Sequence, residues 1–211
     1  MKYEYNTPQS IRTTAFFTGH RQLAGNEKDL ISARIYNCIS SAYAEGYRRF
    51  FCGGALGFDT LAALQTIRFR RKHQDVILAM AIPCATQADR WSEKDQMLYR
   101  SILEQADESS ILSPVYYQGA MLTRNRFMAD HSSLCICYMR YTRGGTASTV
   151  RYALQQNRIR VINLAVGQSD HTDILREEKW NCMFTSPSAD KNADIVPLRL
   201  LSDRRLRMKH M

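Results

Sequence analysis

The chain lacks any long apolar stretch of the kind that membrane helices need. Among its 211 residues, no run approaches the roughly 20 consecutive apolar residues that a bilayer crossing requires. Residues 1–6 are polar and do not show the basic-then-apolar order of a secretion signal. These absences argue against a membrane-spanning class and predict a soluble, cytoplasmic protein with no membrane partner.

The chain also lacks a cysteine pair with the spacing of a zinc or redox site. Its cysteines lie mostly inside apolar runs, and they are Cys38, Cys52, Cys84, Cys135, Cys137 and Cys182. Cys135 and Cys137 would place both sulfurs on one side of a strand, but no third and fourth metal ligands follow with suitable spacing. We therefore predict buried free thiols, no metal site and no bound cofactor.

The composition does provide an apolar core and an excess of positive charge. With 45% hydrophobic residues, the chain is sufficient for one domain, which we place at residues 1–167, followed by a C-terminal extension over 168–211. Lys and Arg number 29 against 20 Asp and Glu, so the formal charge of +9 favours anionic partners. The basic tail, 198–211, is either a solvated end or a contact for nucleic-acid phosphates.

Apolar runs and helical patterns alternate along the chain. The predicted strands are 13–17, 49–52, 76–82, 110–113, 134–138 and 160–164. The predicted helices are 29–44, 60–73, 89–106, 122–129 and 146–156. This order predicts a three-layer α/β fold with a mainly parallel sheet of about six strands and helices on both faces. Residues 168–192 fit either an appended hairpin or a loosely packed extension.

Clusters of Gly, Arg, His, Thr and Asn follow the strand-like runs. They are Thr18 to Arg21, Gly53 to Asp59, Pro83 to Trp91, Arg124 to Arg126, and Arg143 to Thr146. Because the carboxyl ends of parallel strands lie along one edge of a sheet, residues that follow different strands converge there. The sequence therefore predicts a ligand site at that edge.

Two of the clusters are glycine turns that precede predicted helices. A glycine lets the backbone approach a ligand closely, and the amides of the next helical turn then point at an anion. Gly53, Gly54, Ala55 and Gly57 form the first turn, and Gly144, Gly145 and Thr146 form the second. The alternative is that the glycines only make tight turns, but two such turns at equivalent strand ends favour phosphate binding.

Polar and aromatic side chains beside these turns suit the rest of a nucleotide. Arg21, Arg124 and Arg90 carry forked donors for phosphate or carboxylate, and His20 either donates beside them or bonds locally. Asp59 either caps its helix or accepts hydrogen bonds from ribose hydroxyls. Trp91 is placed to stack on a purine, while Asn125 binds the ligand or braces its own turn.

These motifs together resemble the SLOG superfamily, which unites the DprA/Smf DNA-processing proteins with the Lonely Guy phosphoribohydrolases. The resemblance is carried by Thr18 to Arg21, Gly53 to Ala63, Met121 to Met128, and Gly144 to Thr146, and it points to the YspA/YpsA-like branch. It implies a Rossmann-like fold with a site for a nucleotide-derived ligand. The residues expected to line that site are Thr18, Gly19, His20, Arg21, Gly53, Gly54, Ala55, Gly57, Asp59, Trp91, Arg124, Asn125, Gly144, Gly145 and Thr146.

The resemblance leaves three functions open. The first, which we favour, is a module that binds or senses a nucleotide, ADP-ribose or a similar metabolite. The second is a phosphoribohydrolase-like enzyme acting on nucleoside monophosphates: Arg124 matches the family arginine, but Arg151 stands where the family glutamate would be, so Asp59 or Asp130 would have to act as the acid.

The third function is DprA-like binding of single-stranded DNA. The positive charge favours it, but few aromatic side chains are obviously exposed to stack on bases. The residues do not decide whether the chain is an enzyme. Relatives with this fold are often dimers, which makes a homodimer one expectation for its assembly.

Overall fold

The computed structural model describes residues 7–165 and the backbone of residues 173–175. Its strands are β1 (Thr14–Gly19), β2 (Arg49–Cys52), β3 (Ile77–Ile82), β4 (Glu108–Ile111), β5 (Leu134–Tyr138), β6 (Arg160–Asn163) and β7 (Asp173–Leu175). Its helices are α1 (Pro8–Arg12), α2 (Lys28–Ala44), α3 (Phe58–Arg70), α4 (Glu93–Glu104), α5 (Ala120–Asp130) and α6 (Gly145–Leu154). A short 3-10 turn (Gly25–Glu27) precedes α2.

The strands form one sheet in the order β4-β3-β2-β1-β5-β6-β7. The pairs from β4 to β6 are all parallel, and β7 pairs with β6 in the antiparallel sense. The chain moves outward from β1 to β4 and then returns to the other side of β1 with β5. In an open α/β sheet, ligands bind beyond the carboxyl ends of the strands near such a change of direction.

The two faces of the sheet carry separate apolar layers. In β1, Phe17 points into the layer under α2, α3 and α4, while Phe16 points into the layer under α5 and α6. Successive residues of a strand face opposite sides, so the uninterrupted apolar run of β1 is explained by helices on both faces. Helices α3 and α5 thus approach the carboxyl edge of the sheet from opposite sides.

The predicted three-layer α/β fold with a mainly parallel sheet is confirmed. The sequence did not predict the 3-10 turn or α1, whose five residues are too few to show a helical period. Strand β7 has three residues and lies in the segment 168–192, for which an appended hairpin was one of the two alternatives. Helix α4 begins at Glu93 rather than at 89, because residues 83–92 form turns and the Ser92 hydroxyl accepts the Asp95 N–H at 3.2 Å. This bond caps the helix at its observed start.

Some sequence predictions concern parts of the chain beyond the described residues. The boundary between the domain and the extension stays a prediction, and the basic tail 198–211 lies outside the described residues. Five cysteines are free and buried, as predicted, whereas Cys182 also lies outside the described part. Among the described residues, no helix is both long and apolar enough to cross a membrane.

The layer under α2 and α3 gives a direct test of the packing. Phe50 is fully buried and its ring lies 6.0 Å from that of Phe17. We expect Phe50→Ala to lower the free energy of unfolding by about 3–5 kcal/mol, because it removes a buried ring and leaves a cavity. Leu30→Ala, a control at an exposed position of α2, should cost no more than about 0.5 kcal/mol. Urea denaturation measures both, and equal losses would contradict this packing.

Candidate ligand site at the carboxyl edge of the sheet

The glycine turn after β2 packs directly on the loop after β1. Gly57 has a φ of +79°, and a Cβ atom there would overlap the Arg21 carbonyl oxygen and lie 2.7 Å from that of His20. The Phe58 N–H donates to the same His20 carbonyl at 3.1 Å. Only glycine combines this left-handed backbone with so close an approach, so the first two strand-end clusters form one unit.

A buried pair of charged side chains, Arg124 and Asp59, forms hydrogen bonds with the backbone of this turn. Arg124, on α5, is only 4% exposed, and its Nη1 donates to the carbonyl oxygen of Gly53 and, at 3.4 Å, to that of Ala81. Asp59, on α3, accepts the Ala55 N–H at 3.3 Å through an Oδ2 atom that lies 4.0 Å from Arg124 Nη1. The two side chains come from opposite faces of the sheet and meet beneath the turn.

Burial dominates the electrostatics of this pair. Loss of solvent raises the pKa of Asp59, although Arg124 and the Ala55 N–H oppose the rise. Loss of solvent also lowers the pKa of Arg124, against the attraction of Asp59. A buried charge is costly unless it is paired and hydrogen-bonded, which accounts for the backbone partners of both groups. The pair therefore organises the turn, and its donors are largely occupied by the protein.

Asn125 continues this network toward the second glycine turn. Its Oδ1 atom accepts from Arg124 Nε at 2.7 Å, and its Nδ2 atom donates to the Thr149 hydroxyl at 2.7 Å. That hydroxyl in turn donates to the Gly145 carbonyl at 2.9 Å. Asn125 thus has the bracing position that the sequence left open, and a continuous chain of hydrogen bonds joins the two turns.

The second turn leaves the start of α6 available to an anion. Gly144 has a φ of +96° and begins α6 with no side-chain cap and no acidic residue in the first turn. Nothing lies within 4 Å of where a Cβ atom would be at Gly144 or Gly145. At α3, by contrast, Asp59 occupies the first turn and the Phe58 amide is already bonded. Because free helical amides and the helix dipole attract anions, the start of α6 is better suited than the start of α3 to bind an anion.

A cavity of about 480 Å³ opens beside the first turn. Its walls are formed by the turn, by α3 and α4, and by the loop after β1, and they include Arg21, Lys28, Gly54, Gly57, Asp59, Leu61, Leu64, Met80, Trp91, Lys94, Leu98 and Tyr99. The rings of Trp91 and Tyr99 lie edge to face at 5.3 Å. Burial raises the pKa of Tyr99 to about 12, so its phenol is neutral. The size and the largely apolar wall with cationic groups are typical of a small-molecule pocket.

A second polar cluster fills the crevice between the ends of β1 and β5. His20 Nε2 accepts the backbone N–H of Arg140 at 2.9 Å. The Arg140 guanidinium pairs with Glu27 at 3.2 Å, and the Tyr138 hydroxyl donates to the same carboxylate at 3.0 Å. Sequence reasoning found His20 but missed the others, because Glu27 lies in a short 3-10 turn without a recognisable motif. One feature of the sequence could have pointed to this cluster: Arg140 comes soon after the predicted strand 134–138.

Most of the residues predicted for the site do lie at the carboxyl edge. Arg21, Gly54, Gly57, Asp59 and Trp91 line the cavity. The predicted residues that adjoin the cavity or the second turn are Gly19, His20, Gly53, Ala55, Arg124, Asn125, Gly144, Gly145 and Thr146. Thr18 is buried within β1. Whether these residues contact a ligand stays a prediction.

The structure bears on two further points. Asp130, an alternative catalytic acid, is the last residue of α5 and accepts from the Tyr152 hydroxyl at 2.8 Å; since α5 runs back toward the amino ends of the strands, Asp130 lies away from the site. Exposed aromatics are also present at the carboxyl edge, where Tyr116, Tyr117 and Tyr141 are 62%, 43% and 45% exposed. Their loops follow β4 and β5, which the sequence pattern does not distinguish from buried segments.

Metal ligands are not grouped in the part of the chain described here. Among residues 7–165, no three His, Cys, Asp or Glu side chains are placed to hold an ion together.

Sequence comparison identifies relatives over most of the described domain. Residues 17–165 match the model of the YspA SLOG family. The SPbeta prophage-derived protein YoqJ of Bacillus subtilis is 28% identical over 138 residues, which cover 60% of this chain and 79% of that protein. A UPF0398 protein of Staphylococcus epidermidis is 28% identical over 132 residues, which cover 58% of this chain and 70% of that protein.

Solved structures share the fold. DNA processing protein A of Streptococcus pneumoniae superposes with a TM-score of 0.51 at 16% identity, over 71% of this chain and 49% of that chain. The Helicobacter pylori protein of the same name, described by its single-stranded DNA binding mode, gives a TM-score of 0.51 at 18% identity over 71% and 64% of the two chains. Our chain spans less than two thirds of either protein, and the likeness confirms the Rossmann-like architecture.

The buried pair makes a testable prediction about stability and pH. We expect Arg124→Gln to destabilise the protein by about 3–5 kcal/mol at pH 7, because it leaves the Asp59 carboxylate buried without its cation. Removing Arg124 raises the pKa of Asp59 further, so the folded state binds this proton more tightly than the unfolded chain, whose value is 3.8. The loss of unfolding free energy caused by Arg124→Gln should therefore become smaller as the pH falls from 7 toward 4.

Denaturation at several pH values measures this effect. Arg126→Gln, an exposed neighbour on α5 whose guanidinium lies over the Tyr152 ring, is the control and should cost no more than about 1 kcal/mol. The double variant Arg124→Gln, Asp59→Asn should regain part of the loss. A cost for Arg124→Gln that is the same at pH 4 and pH 7 would argue against the buried pair.

Proposed function

Because this chain belongs to the YspA SLOG family, we propose that it binds or senses a nucleotide-derived small molecule, such as a nucleotide or ADP-ribose, at the carboxyl edge of its sheet. The observation that carries the proposal is the cavity beside the first glycine turn. Five residues that sequence reasoning had assigned to a nucleotide site line that cavity, namely Arg21, Gly54, Gly57, Asp59 and Trp91. A cavity of about 480 Å³ is large enough for a nucleotide-sized ligand.

The chemistry of the walls supports a particular orientation of the ligand. Trp91 and Tyr99 offer aromatic surface for a base, and the remaining wall is mostly aliphatic. Arg21, Lys28 and Lys94 carry the positive charge at the cavity, and the uncapped start of α6 offers amides. We infer that the base enters between α3 and α4, and that the phosphates extend from these cations toward the start of α6, which lies outside the cavity wall.

The positions of the carboxylates favour binding over hydrolysis. Arg151 occupies the place of the family glutamate, and Asp130 lies at the other end of α5. Asp59 is buried, and its Oδ2 is engaged by Ala55 and near Arg124, so it is poorly placed to stabilise developing charge on a sugar. A phosphoribohydrolase-like reaction thus lacks a suitable acid among these candidates, and we favour ligand binding without turnover.

A thermal-shift panel of nucleotides that includes AMP, ADP and ADP-ribose tests the proposal. A ligand at about 100 times its Kd stabilises the folded state by about 2.7 kcal/mol, which raises the Tm. We expect Trp91→Ala and Arg21→Ala each to weaken binding about tenfold, because each removes one direct contact of about 1.4 kcal/mol. Arg100→Ala, at an exposed position of α4, is the matched control and should bind normally. If no member of the panel raises the Tm of folded protein, the proposal fails.

A second candidate, single-stranded DNA, is favoured by the exposed tyrosines. Tyr116, Tyr117 and Tyr141 lie on loops at the same edge as the glycine turns, and aromatic rings at such positions stack on unpaired bases. The formal charge of +9 suits a polyanion, and the structural neighbour from Helicobacter pylori is described as binding single-stranded DNA. In this alternative, the strand crosses the carboxyl edge from the loop after β4 to the loop after β5.

An electrophoretic shift assay with an oligothymidylate at several salt concentrations tests this candidate. Binding should weaken steeply as salt rises, because phosphate contacts release counterions. The double variant Tyr116→Ala, Tyr117→Ala should lose about tenfold or more in affinity, since each stacked base contributes about 1–3 kcal/mol. The matched variant Tyr116→Phe, Tyr117→Phe keeps both rings and should bind like the original. Absence of binding at low salt removes this candidate.

A further inference from the structure

Between β1 and β5, where the chain reverses direction across the sheet, the protein's own side chains connect the carboxyl ends of the two strands. In open α/β sheets this is the usual position for a ligand. Here the crevice is bridged by His20, Glu27, Tyr138 and Arg140, a group that we call the switch-point latch. The cavity with Trp91 lies on the other side of β1, next to β2 and β3.

Arg140 is held twice in this latch. Its backbone N–H donates to His20 Nε2 at 2.9 Å, and its guanidinium pairs with Glu27 at 3.2 Å. The preceding residue, Met139, is fixed from β6 by Asn163, which accepts the Met139 N–H at 3.0 Å and donates to its carbonyl at 2.9 Å. The first residue of the loop from Met139 to Gly144 is therefore fixed by β6. The position of the next residue, Arg140, depends on its contacts with His20 and Glu27.

His20 also connects the latch to the proposed ligand site. Its carbonyl accepts the Phe58 N–H and packs on Gly57 in the first turn. The next residue, Arg21, lines the cavity. On its other side, the His20 ring lies 5.1 Å from Tyr141 and 6.1 Å from Tyr138. One short turn thus contacts both the cavity and the loop that leads into α6.

We propose that His20 is a pH-sensitive latch, which in its neutral form fixes the loop Met139–Gly144 and the glycine turn at the start of α6. Protonation of Nε2 removes the only lone pair that can accept the Arg140 N–H, and it places a second cation beside Arg140. The charged and titratable groups beside His20 are Arg140 and Tyr141 from this loop and Tyr138 from β5, and Glu27 from the 3-10 turn contacts both Arg140 and Tyr138. The loop is then released as the pH falls.

The electrostatic environment supports the direction of this change. Burial, and secondarily the charge of Arg140, lower the pKa of His20 from 6.5. A base with a lowered pKa contributes stability that is present above 6.5 and is lost as the pH falls through its lowered value. The latch is therefore closed at neutral pH and opens as the pH falls below 6.5 through the lowered pKa of His20. Its effect on ligand affinity rests on the proposed function, but the latch itself needs no ligand.

Hydrogen exchange of the ligand-free full chain tests the latch. We expect the amides of residues 139–147 to exchange about fivefold faster at pH 4.5 than at pH 7.5, after correction for the intrinsic pH dependence of exchange, because a latch hydrogen bond is lost. His20→Phe keeps the ring but lacks the acceptor, so its loop should exchange about fivefold faster at both pH values. His20→Gln keeps an acceptor that does not titrate, so its loop should stay protected at both.

His73→Gln is the matched control, since His73 lies at the far end of α3 against Phe69 and Tyr43 and should leave the pH response intact. The inference is overturned if loop protection in the original chain does not change between the two pH values, or if His20→Phe matches the original. If the protection of the loop depends on pH as expected but no nucleotide binds, only the proposed function is contradicted. If a nucleotide binds but the protection of the loop does not depend on pH, only the latch is contradicted.

Discussion

The carboxyl edge of this molecule depends on one interaction, the burial of the Arg124 guanidinium beneath the turn after β2. A cation removed from water requires acceptors on several sides, and here the carbonyls of Gly53 and Ala81 and the carboxylate of Asp59 provide them. A Cβ atom at Gly53 would overlap the guanidinium. The glycine is therefore needed as much for this cation as for any ligand above it.

This arrangement gives the two glycine turns different roles. At the first turn, the amides and the start of α3 are largely engaged by Asp59 and the His20 carbonyl, so the turn acts as a rigid wall of the cavity. At the second, the start of α6 has no capping side chain and remains open. Because Asn125 and Thr149 link the turns, the cavity wall and the start of α6 are held in a fixed relation, which would reduce the entropic cost of binding the proposed ligand.

Most strands and helices could be predicted from the sequence, because each depends on a pattern of residues that are close together in the chain. Continuous apolar runs such as 77–82 and 134–138 are typical of strands that are covered on both faces, and the polar clusters after parallel strands meet at one edge of the sheet. The roles of individual side chains were harder to predict. Arg124 looked like an exposed ligand donor, yet its partner Gly53 is 71 positions away, and a contact of that range leaves no periodic signal. Glu27 and Arg140, 113 positions apart, were missed for the same reason.

The central claim is that the cavity beside Trp91 holds a nucleotide-derived molecule. The most direct measurement is a crystal structure of the protein as purified from cells, combined with mass spectrometry of any small molecule that it retains. Our account predicts a molecule that contains a nucleoside, with its base between α3 and α4 and its phosphate toward Arg21 and the start of α6. A retained molecule without a nucleoside, or one bound away from the carboxyl edge, would contradict it.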